Sequence, residues 1–122
     1  MALAKELDVL SFLVTSNTEG GQKPMKTNAQ GLLVPALDVP RNIGGMSGPS
    51  RRHVGEAQLV LVDKLKKGLG LDVELISTQG VATGRDLSRR LELGAVAAGS
   101  VTAFWRANDP RMKAVEMLSE SV

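Results

Sequence analysis

Two hydrophobic patterns alternate along the chain: short runs that are almost continuously apolar, and longer stretches with an apolar residue at every third or fourth position. The first pattern is typical of a strand buried on both faces, and the second of an amphipathic helix. The predicted strands are 9–15, 73–78 and 95–101. The predicted helices run from Ser50 to about Lys67, from Asp86 to Leu93 and from Asp109 to Ser119. A succession of strand and helix favours an α/β fold with a parallel sheet and right-handed crossovers.

Residues 16–50 interrupt this pattern. Glycine, proline and asparagine recur there, and the main apolar stretch is 32–37. Such composition predicts a long loop within one domain that spans residues 1–122. The apolar stretch in the loop indicates either a contact surface or a flap folded over the chain's own sheet.

The predicted helices have recognisable ends. Ser50 is a suitable N-cap for the first helix, and Gly68 and Gly70 are suited to end it. Asp109 is a suitable N-cap for the last helix, because Pro110 then takes the first helical position.

The composition predicts a thin core. The chain has 122 residues, of which 43% are hydrophobic, but it contains one Trp, two Phe and no Tyr. An aromatic side chain buries roughly 150–250 Å², so the chain lacks a large source of packing energy. Burial against a partner would supply it.

Charge and reactive residues exclude several classes of function. Fifteen basic and thirteen acidic residues give a net charge of +2, which does not by itself indicate a polyanionic partner. The basic groups Arg51–His53, Lys64–Lys67 and Arg89–Arg90 are predicted to be solvated helix faces, with an RNA or acidic-lipid surface as the alternative.

The absence of cysteine excludes disulfides and thiolate chemistry, and the single His53 cannot build a histidine metal cluster. No metal site and no membrane span are expected. The amino-terminal residues have the character of neither a secretory signal nor a transit peptide, so we expect that none is needed or that one has been removed.

Glycine-rich signatures follow one another through the second half of the chain. They read Gly-Gly-Met-Ser-Gly-Pro at 44–49, Gly-Val-Ala-Thr-Gly-Arg-Asp at 80–86, Leu-Gly-Ala at 93–95 and Thr-Ala-Phe-Trp at 102–105. Main-chain amides in glycine-rich turns can hold a phosphate, because no Cβ blocks the approach. In this order the signatures resemble the flavin-binding end of dihydroorotate dehydrogenase, a flavin-dependent (β/α)8 barrel. Since a complete barrel needs roughly 250 residues, the resemblance implies a partial, half β/α barrel with about three parallel strands, each followed by a helix.

The resemblance implies a role for five residues. Gly48 would approach the isoalloxazine or the ribityl chain of FMN, Gly80 would approach the phosphate, and Thr102 would donate its hydroxyl to that phosphate. Asn17 and Thr18 resemble an Asn-Thr pair that contacts the pyrimidine substrate. The alternative for the glycines and Thr102 is structural, namely tight turns and a hydrogen-bonded strand end.

Departures from the family pattern argue against catalysis. Where the family has a Gly-x-Gly-Gly turn, this chain has Ser77-Thr78-Gln79-Gly80, so two positions that should admit a phosphate carry side chains. The family's catalytic Ser or Cys and its flavin-contacting lysine have no counterpart here. No catalytic residue is therefore predicted, because hydride chemistry needs a base.

Three functions follow from this resemblance. The first is a non-catalytic, degenerate dihydroorotate dehydrogenase-like remnant that serves as a structural or accessory subunit of a larger protein assembly, with no cofactor. Ala103-Phe104-Trp105 resembles the membrane-associated, quinone-linked class, which implies a mitochondrial rather than a cytoplasmic location. The second is the C-terminal piece of a split dihydroorotate dehydrogenase, in which a partner completes the barrel and FMN binds. The third is a half barrel that pairs with itself and binds a phosphate ligand.

Overall fold

The computed structural model describes residues 10–17, 19–37 and 44–121. The strands are β1 (Phe12–Val14), β2 (Glu19–Gln22), β3 (Met25–Thr27), β4 (Leu33–Pro35), β5 (Gly44–Met46), β6 (Glu74–Ser77) and β7 (Ala97–Ala98). The helices are α1 (Arg52–Leu69), α2 (Gly84–Glu92), α3 (Thr102–Arg106) and α4 (Pro110–Glu120), and a 3-10 turn at Pro49–Arg51 precedes α1. None of the helices in the described ranges is long and apolar enough to cross a membrane.

The chain divides into two compact units, one formed by Met1–Asn17 with Gly48–Val122 and the other by Thr18–Ser47. The first unit contains a three-stranded parallel sheet in the order β1-β6-β7. Helix α1 precedes β6 along the chain and packs on it. Helix α2 lies between β6 and β7 along the chain and packs on β7. This confirms the predicted partial β/α barrel, whereas the prediction of one domain over 1–122 stays a prediction.

The core of the first unit lies between the sheet and its helices. Leu59 of α1 and Leu75 of β6 are completely buried, and they pack with residues of the two connections. Leu13 of β1 lies against the same cluster and is half-buried. The buried members of the cluster are Leu59, Leu71, Val73, Leu75 and Ala95.

The other face of the sheet is open, which corrects the prediction that the first strand is buried on both faces. Phe12 and Val14 of β1 are each 53% exposed. They are in register with Glu74 and Ile76, and Ile76 is in register with Ala97, so these five side chains share one face. In a complete barrel this face would be the filled interior.

The strands are shorter than the sequence predicts. The first predicted strand, 9–15, is reduced to Phe12–Val14, and Val9 lies outside the described residues. The third, 95–101, is reduced to Ala97–Ala98. An edge strand forms hydrogen bonds with a neighbour on one side only. How far such a short strand extends therefore depends on side-chain packing rather than on its sequence pattern alone.

Some of the predicted helix ends are correct, and others are wrong. Asp109 caps α4 with Pro110 in its first turn, and the left-handed Gly70 ends α1, as predicted. Ser50 is not an N-cap, because it lies inside the 3-10 turn. The helix predicted to begin at Asp86 begins two residues earlier, at Gly84; its N-cap is Thr83, and Asp86 completes a capping box with Thr83. Gly68 lies inside α1, and the short helix α3 was not predicted.

The second unit contains most of the segment that the sequence predicts as a long loop. Strand β2 pairs antiparallel with β5, and β3 pairs antiparallel with β4. Glycine, proline and asparagine in this segment therefore mark the turns of short strands rather than a structureless connection. Leu32 and Leu33, from the predicted apolar insertion, are 63% and 71% exposed.

Candidate functional site

The carboxyl ends of the parallel strands are tied together in the first unit. The Ser16 hydroxyl donates to the Thr78 carbonyl at 2.8 Å, and the Thr78 hydroxyl donates to the Ser16 carbonyl. The Ser100 hydroxyl donates to the Val81 carbonyl at 2.5 Å. Ligands of parallel α/β sheets bind beyond this edge, so it is the place to look for a site.

Gly48 and Thr102 are brought together at this edge. Gly48 has a left-handed φ of 97°, and a Cβ built on it would lie 3.1 Å from Thr102 Cγ2. The Gly48 carbonyl also accepts from the N–H of Arg51 at 3.0 Å, within the turn that leads into α1. The turn thus packs on Thr102, and the flavin contacts expected of the two residues stay predictions.

Gly80 has a close neighbour inside the chain. Its φ is 80°, and a Cβ there would overlap the main chain of Arg51 and Arg52. Glycine at this position therefore lets the turn after β6 touch the start of α1. Its predicted contact with a phosphate stays a prediction.

The predicted substrate pair falls at the end of β1. Asn17 is exposed there, directly after the buried Ser16. Thr18 lies outside the described residues. Their predicted contact with a pyrimidine stays a prediction.

A buried arginine organises the turn between β6 and α2. Arg90 is completely buried, although the sequence predicts a solvated face. Its guanidinium donates to the Ser77 hydroxyl at 2.8 Å, to the Thr78 carbonyl at 3.2 Å and to the Gln79 carbonyl at 3.0 Å. A fourth hydrogen bond, of 3.0 Å, goes to the Arg52 carbonyl at the start of α1. One side chain of α2 therefore fixes both the turn after β6 and the first turn of α1.

The carbonyls that Arg90 holds determine where the neighbouring N–H groups point. In a trans peptide the N–H is directed opposite to the carbonyl of the same unit. Because the Thr78 and Gln79 carbonyls face Arg90, the N–H groups of Gln79 and Gly80 face away from it. No acceptor for either N–H is found within the described part of the chain. Two adjacent N–H donors in a turn are a small site for an anion.

Gln79 carries strain and an unsatisfied side chain. It is the non-glycine residue with a left-handed φ, 67°, in the described ranges. The residue is 8% exposed, and neither its amide oxygen nor its amide nitrogen has a hydrogen-bond partner there. Both features cost stability, roughly 1–2 kcal/mol for the backbone and 1–3 kcal/mol for an unsatisfied buried group.

Replacing Gln79 by glycine is expected to raise the free energy of unfolding by about 1–2 kcal/mol, since it removes both costs while adding backbone freedom to the unfolded chain. Urea unfolding of the two proteins measures the difference. Gln79→Ala is the control, because it removes the amide but keeps the left-handed strain. A Gln79→Gly protein less stable than the wild type would show that the amide has a stabilising role.

The capping box of α2 carries an ion pair. The Asp86 carboxylate accepts from the N–H groups of Ala82 and Thr83 at 3.0 Å each, and it pairs with the guanidinium of Arg52 at 2.5 Å. Burial raises the pKa of Asp86, but the hydrogen bonds from Ala82, Arg52 and Thr83 outweigh burial and hold that pKa below its ordinary value. Arg52, the first residue of α1, is thus attached to α2 through both its carbonyl and its side chain.

A buried charge remains around Arg90. Burial lowers the pKa of the guanidinium, and the negative charges of Glu56 and Asp86 oppose this shift. The four acceptors that contact the guanidinium directly are all neutral. The cation is therefore stabilised by dipoles more than by a carboxylate, which demands accurate hydrogen-bond geometry.

An open pocket of about 600 Å³ is lined by residues near the predicted glycine-rich signatures. Pro49 lies in the 3-10 turn before α1, Ala82 in the turn before α2, and Ala103 in α3. The charged lining of the pocket is mixed, with Arg106, Lys113, Asp109 and Glu116. The pocket therefore has no excess of positive charge.

FMN, the cofactor that the resemblance implies, fits this site in part. The N–H groups of Gln79 and Gly80 are suited to hold a phosphate. The space next to the Cα of Gly80 is taken by the main chain of α1, and that next to Gly48 by Thr102. The described side chains at the strand ends near the turn, Ser16, Thr78 and Ser100, are hydroxyls rather than bases. The chain's own contribution to a flavin would therefore be binding of its phosphate.

Sequence reasoning missed Arg90, although a signal was present. Asp86 and Arg90 are four residues apart and so lie on one face of α2. Leu87 lies beside that face, and an apolar neighbour indicates that the face with Asp86 and Arg90 points inward. Arg89–Arg90 was instead interpreted as part of a solvated surface, and Asp86 as the start of the helix.

Comparison with known proteins supports the fold assignment. No protein family matches the chain, and no curated protein sequence matches it. Among solved structures, the crystal structure of DHODH from Eimeria tenella in complex with ferulenol has a TM-score of 0.70 and 22% sequence identity. The match covers 98% of this chain but 28% of that chain. The chain is therefore similar in fold to a part of a DHODH.

Proposed function

We propose that this chain is a non-catalytic, dihydroorotate dehydrogenase-like subunit of a larger protein assembly, in which its role is structural or accessory. The observation that carries the proposal is the open face of the parallel sheet. Phe12 and Val14 of β1 are half-exposed on the face of the sheet that a barrel would fill. Soluble monomers rarely expose contiguous apolar patches of this kind, and such patches mark interaction sites.

Further apolar exposure supports a protein partner. Val101 is 73% exposed and Trp105 is 87% exposed, on and beside α3 at the carboxyl end of the sheet. Tryptophan is enriched at the centres of protein interfaces, where its large surface is buried. The only Trp of the chain is thus placed outside the core.

The proposed location is the mitochondrion, on the resemblance of Ala103-Phe104-Trp105 to the quinone-linked class.

The proposal that the chain is non-catalytic is supported by the side chains at the ends of the strands. The strand-end side chains Ser16, Thr78 and Ser100 are hydroxyls that already donate to main-chain carbonyls of this chain. Proton abstraction would need a positioned base there.

A second candidate function is a split flavoprotein, in which another chain completes the barrel around FMN. The two N–H groups of Gln79 and Gly80 that face away from Arg90 favour it. FMN would supply hydride acceptance when bound, and a partner would have to supply the base. This chain would contribute the turn at 78–81 and the hydroxyl of Thr102.

One experiment separates these functions. The particle that contains the chain is isolated from its natural source without overexpression, and its native mass, components and flavin absorbance are measured. We expect a mass far above the chain's 12.9 kDa, many unrelated subunits and no flavin. A flavin-containing particle with the mass of one or two complete barrels would instead establish the split flavoprotein. A 12.9 kDa monomer would contradict the proposal of a subunit.

A further inference from the structure

The first strand of the sheet has a free edge. The Ser11 carbonyl accepts from Glu74 and the Thr15 N–H donates to Ile76, so these main-chain groups are used towards β6. Because main-chain groups alternate along a strand, those of Phe12 and Val14 are directed to the opposite edge. Among the described residues no strand pairs with β1 on that side. An unpaired edge of this kind is a template for one more strand.

Helix α1 presents an apolar stripe on the same side of the molecule. Leu65 and Leu69 are four residues apart and are 46% and 43% exposed. Leu61 is not part of this stripe, because it lines a groove together with Arg89 and Leu93 on the side of α2.

Asp63 faces the connection after α2, because it lies 2.9 Å from the Cβ position at Gly94. Leu65 is two positions further along, about 200° around the helix, and therefore points away from α2. Since α1 packs on β6 and α2 packs on β7, and the strand order is β1-β6-β7, the side of α1 away from α2 is the side of β1.

The opposite side of the first unit is already covered by this chain. Helix α4 packs against α2, with the N–H of Gly84 donating to the Glu120 carboxylate at 2.9 Å. The Ser88 hydroxyl donates to the Ser121 carbonyl at 2.8 Å. Among the described residues, the helix layer is thus closed beyond α2, and no helix packs beyond α1. The element missing from this part of the structure is a helix on the side of β1.

We propose, on the basis of the proposed function, that this side binds one βα unit of a different polypeptide. Its strand pairs with the free edge of β1, and its helix packs on Leu65 and Leu69. A strand and a helix from one unit satisfy the hydrogen-bonding edge and the apolar stripe together. Neither feature alone specifies this partner, since an edge accepts any strand and a stripe accepts any amphipathic helix.

Charge and symmetry argue against a second copy of this chain as the partner. Helix α1 has four basic residues, Arg52, Lys64, Lys66 and Lys67, against two acidic ones, Glu56 and Asp63. A two-fold axis would bring one α1 against another, and like charges in contact lower affinity. Among the basic side chains of α1, Lys64 and Lys66 have no paired carboxylate among the described residues. The partner helix is therefore expected to carry Asp or Glu next to its apolar face.

A matched pair of substitutions tests the surface in the native assembly. Leu65 and Leu91 are 46% and 45% exposed, on α1 and α2 respectively, so Leu65→Lys and Leu91→Lys have similar cost within the chain. Each tagged variant is expressed in the source organism, and its incorporation into the assembly is quantified. We expect Leu65→Lys to reduce incorporation by about tenfold or more, because the position is central to the interface. Leu91→Lys should stay within about twofold of the wild type.

Cysteine cross-linking identifies the occupant, because the chain has no cysteine of its own. Gln58 of α1 is exposed and lies seven positions before Leu65, on the same face of the helix. Gln58→Cys, with Glu92→Cys on α2 as the control, is cross-linked in the assembly, and the joined peptides are sequenced by mass spectrometry. The expected result is a link from position 58 to an acidic, amphipathic helix of one other polypeptide, adjacent in its sequence to a strand. A link to a second copy, or to residues 1–9 of this chain, would overturn the inference.

The two proposals can fail separately. If the wild-type chain is found in a large assembly but Leu65→Lys is incorporated normally, the inference about this surface is wrong and the subunit function stands. If the wild-type chain runs as a monomer when isolated from its source, the proposed function itself is wrong.

Discussion

Replacement of Arg90 by leucine is expected to lower the free energy of unfolding by about 3–5 kcal/mol. The guanidinium makes four hydrogen bonds of 2.8–3.2 Å, and three of the acceptors are main-chain carbonyls. A side-chain substitution cannot remove those carbonyls, so they would stay buried without donors. Urea denaturation followed by circular dichroism measures the loss.

Two further variants define the origin of this effect. Arg89→Leu is the matched control, because the Arg89 side chain is 53% exposed and its pair with Glu92, at 3.5 Å, is also on the surface. It should change stability by no more than about 0.5 kcal/mol. Arg90→Lys keeps the charge but not the planar fork, and we expect an intermediate loss. A loss below about 1 kcal/mol for Arg90→Leu would show that the carbonyls find other donors.

The same contacts give Arg90 a role in any ligand binding at the turn. By holding the Thr78 and Gln79 carbonyls, it directs the adjacent N–H groups of Gln79 and Gly80 away from α2. The phosphate cradle expected from sequence is altered by side chains at positions 77 and 79. In the structure, the Ser77 hydroxyl is one of the Arg90 acceptors, so the substitution and the buried arginine belong to one network. Where the glycine pattern is lost, the turn is thus held by hydrogen bonds from Arg90.

Local sequence signals predicted the parallel α/β architecture well. Helical spacing in the sequence favours Val54, Ala57, Leu61 and Leu65 as the inward face of the first long helix, which the structure contradicts: α1 buries Gly55 and Leu59, and Leu61 and Leu65 are 58% and 46% exposed. The position of the helix was therefore predicted, but its inward face was not. The Asp109-Pro110 pair and Gly70 have conformational preferences that act within a few residues, so they fix helix ends wherever the chain goes. These elements were accessible because their determinants are local.

Features that depend on distant contacts were not predicted. Whether Arg90 is buried depends on four acceptors from the β6 turn and α1, which are 11–38 residues away along the chain. The exposure of Phe12 and Val14 depends on whether other elements cover that face of the sheet, whereas their apolar character alone predicts burial. In the segment 19–37, short strands form by antiparallel pairing, which glycine-rich composition conceals.

Replacement of Gly80 by alanine is expected to lower the free energy of unfolding by about 2–5 kcal/mol. One part of the loss is the left-handed backbone, since φ at Gly80 is 80°. The other part is steric, because the new Cβ would overlap the main chain of Arg51 and Arg52, which cannot move without displacing α1. Thermal and urea unfolding measure the total.

Gly70→Ala separates the two contributions. Gly70 also has a left-handed φ, 62°, but no atom lies within 4 Å of the position a Cβ would take. Alanine there should cost about 1–2 kcal/mol, the backbone term alone. The excess loss at Gly80 then measures how tightly the turn after β6 packs on α1. Equal losses at the two positions would mean that α1 yields to the methyl group, and the glycine at position 80 would then be explained by a ligand contact instead. A large excess would show that glycine is needed at this position for the fold itself, so loss of phosphate or flavin binding in Gly80→Ala could not be taken as evidence of a ligand contact.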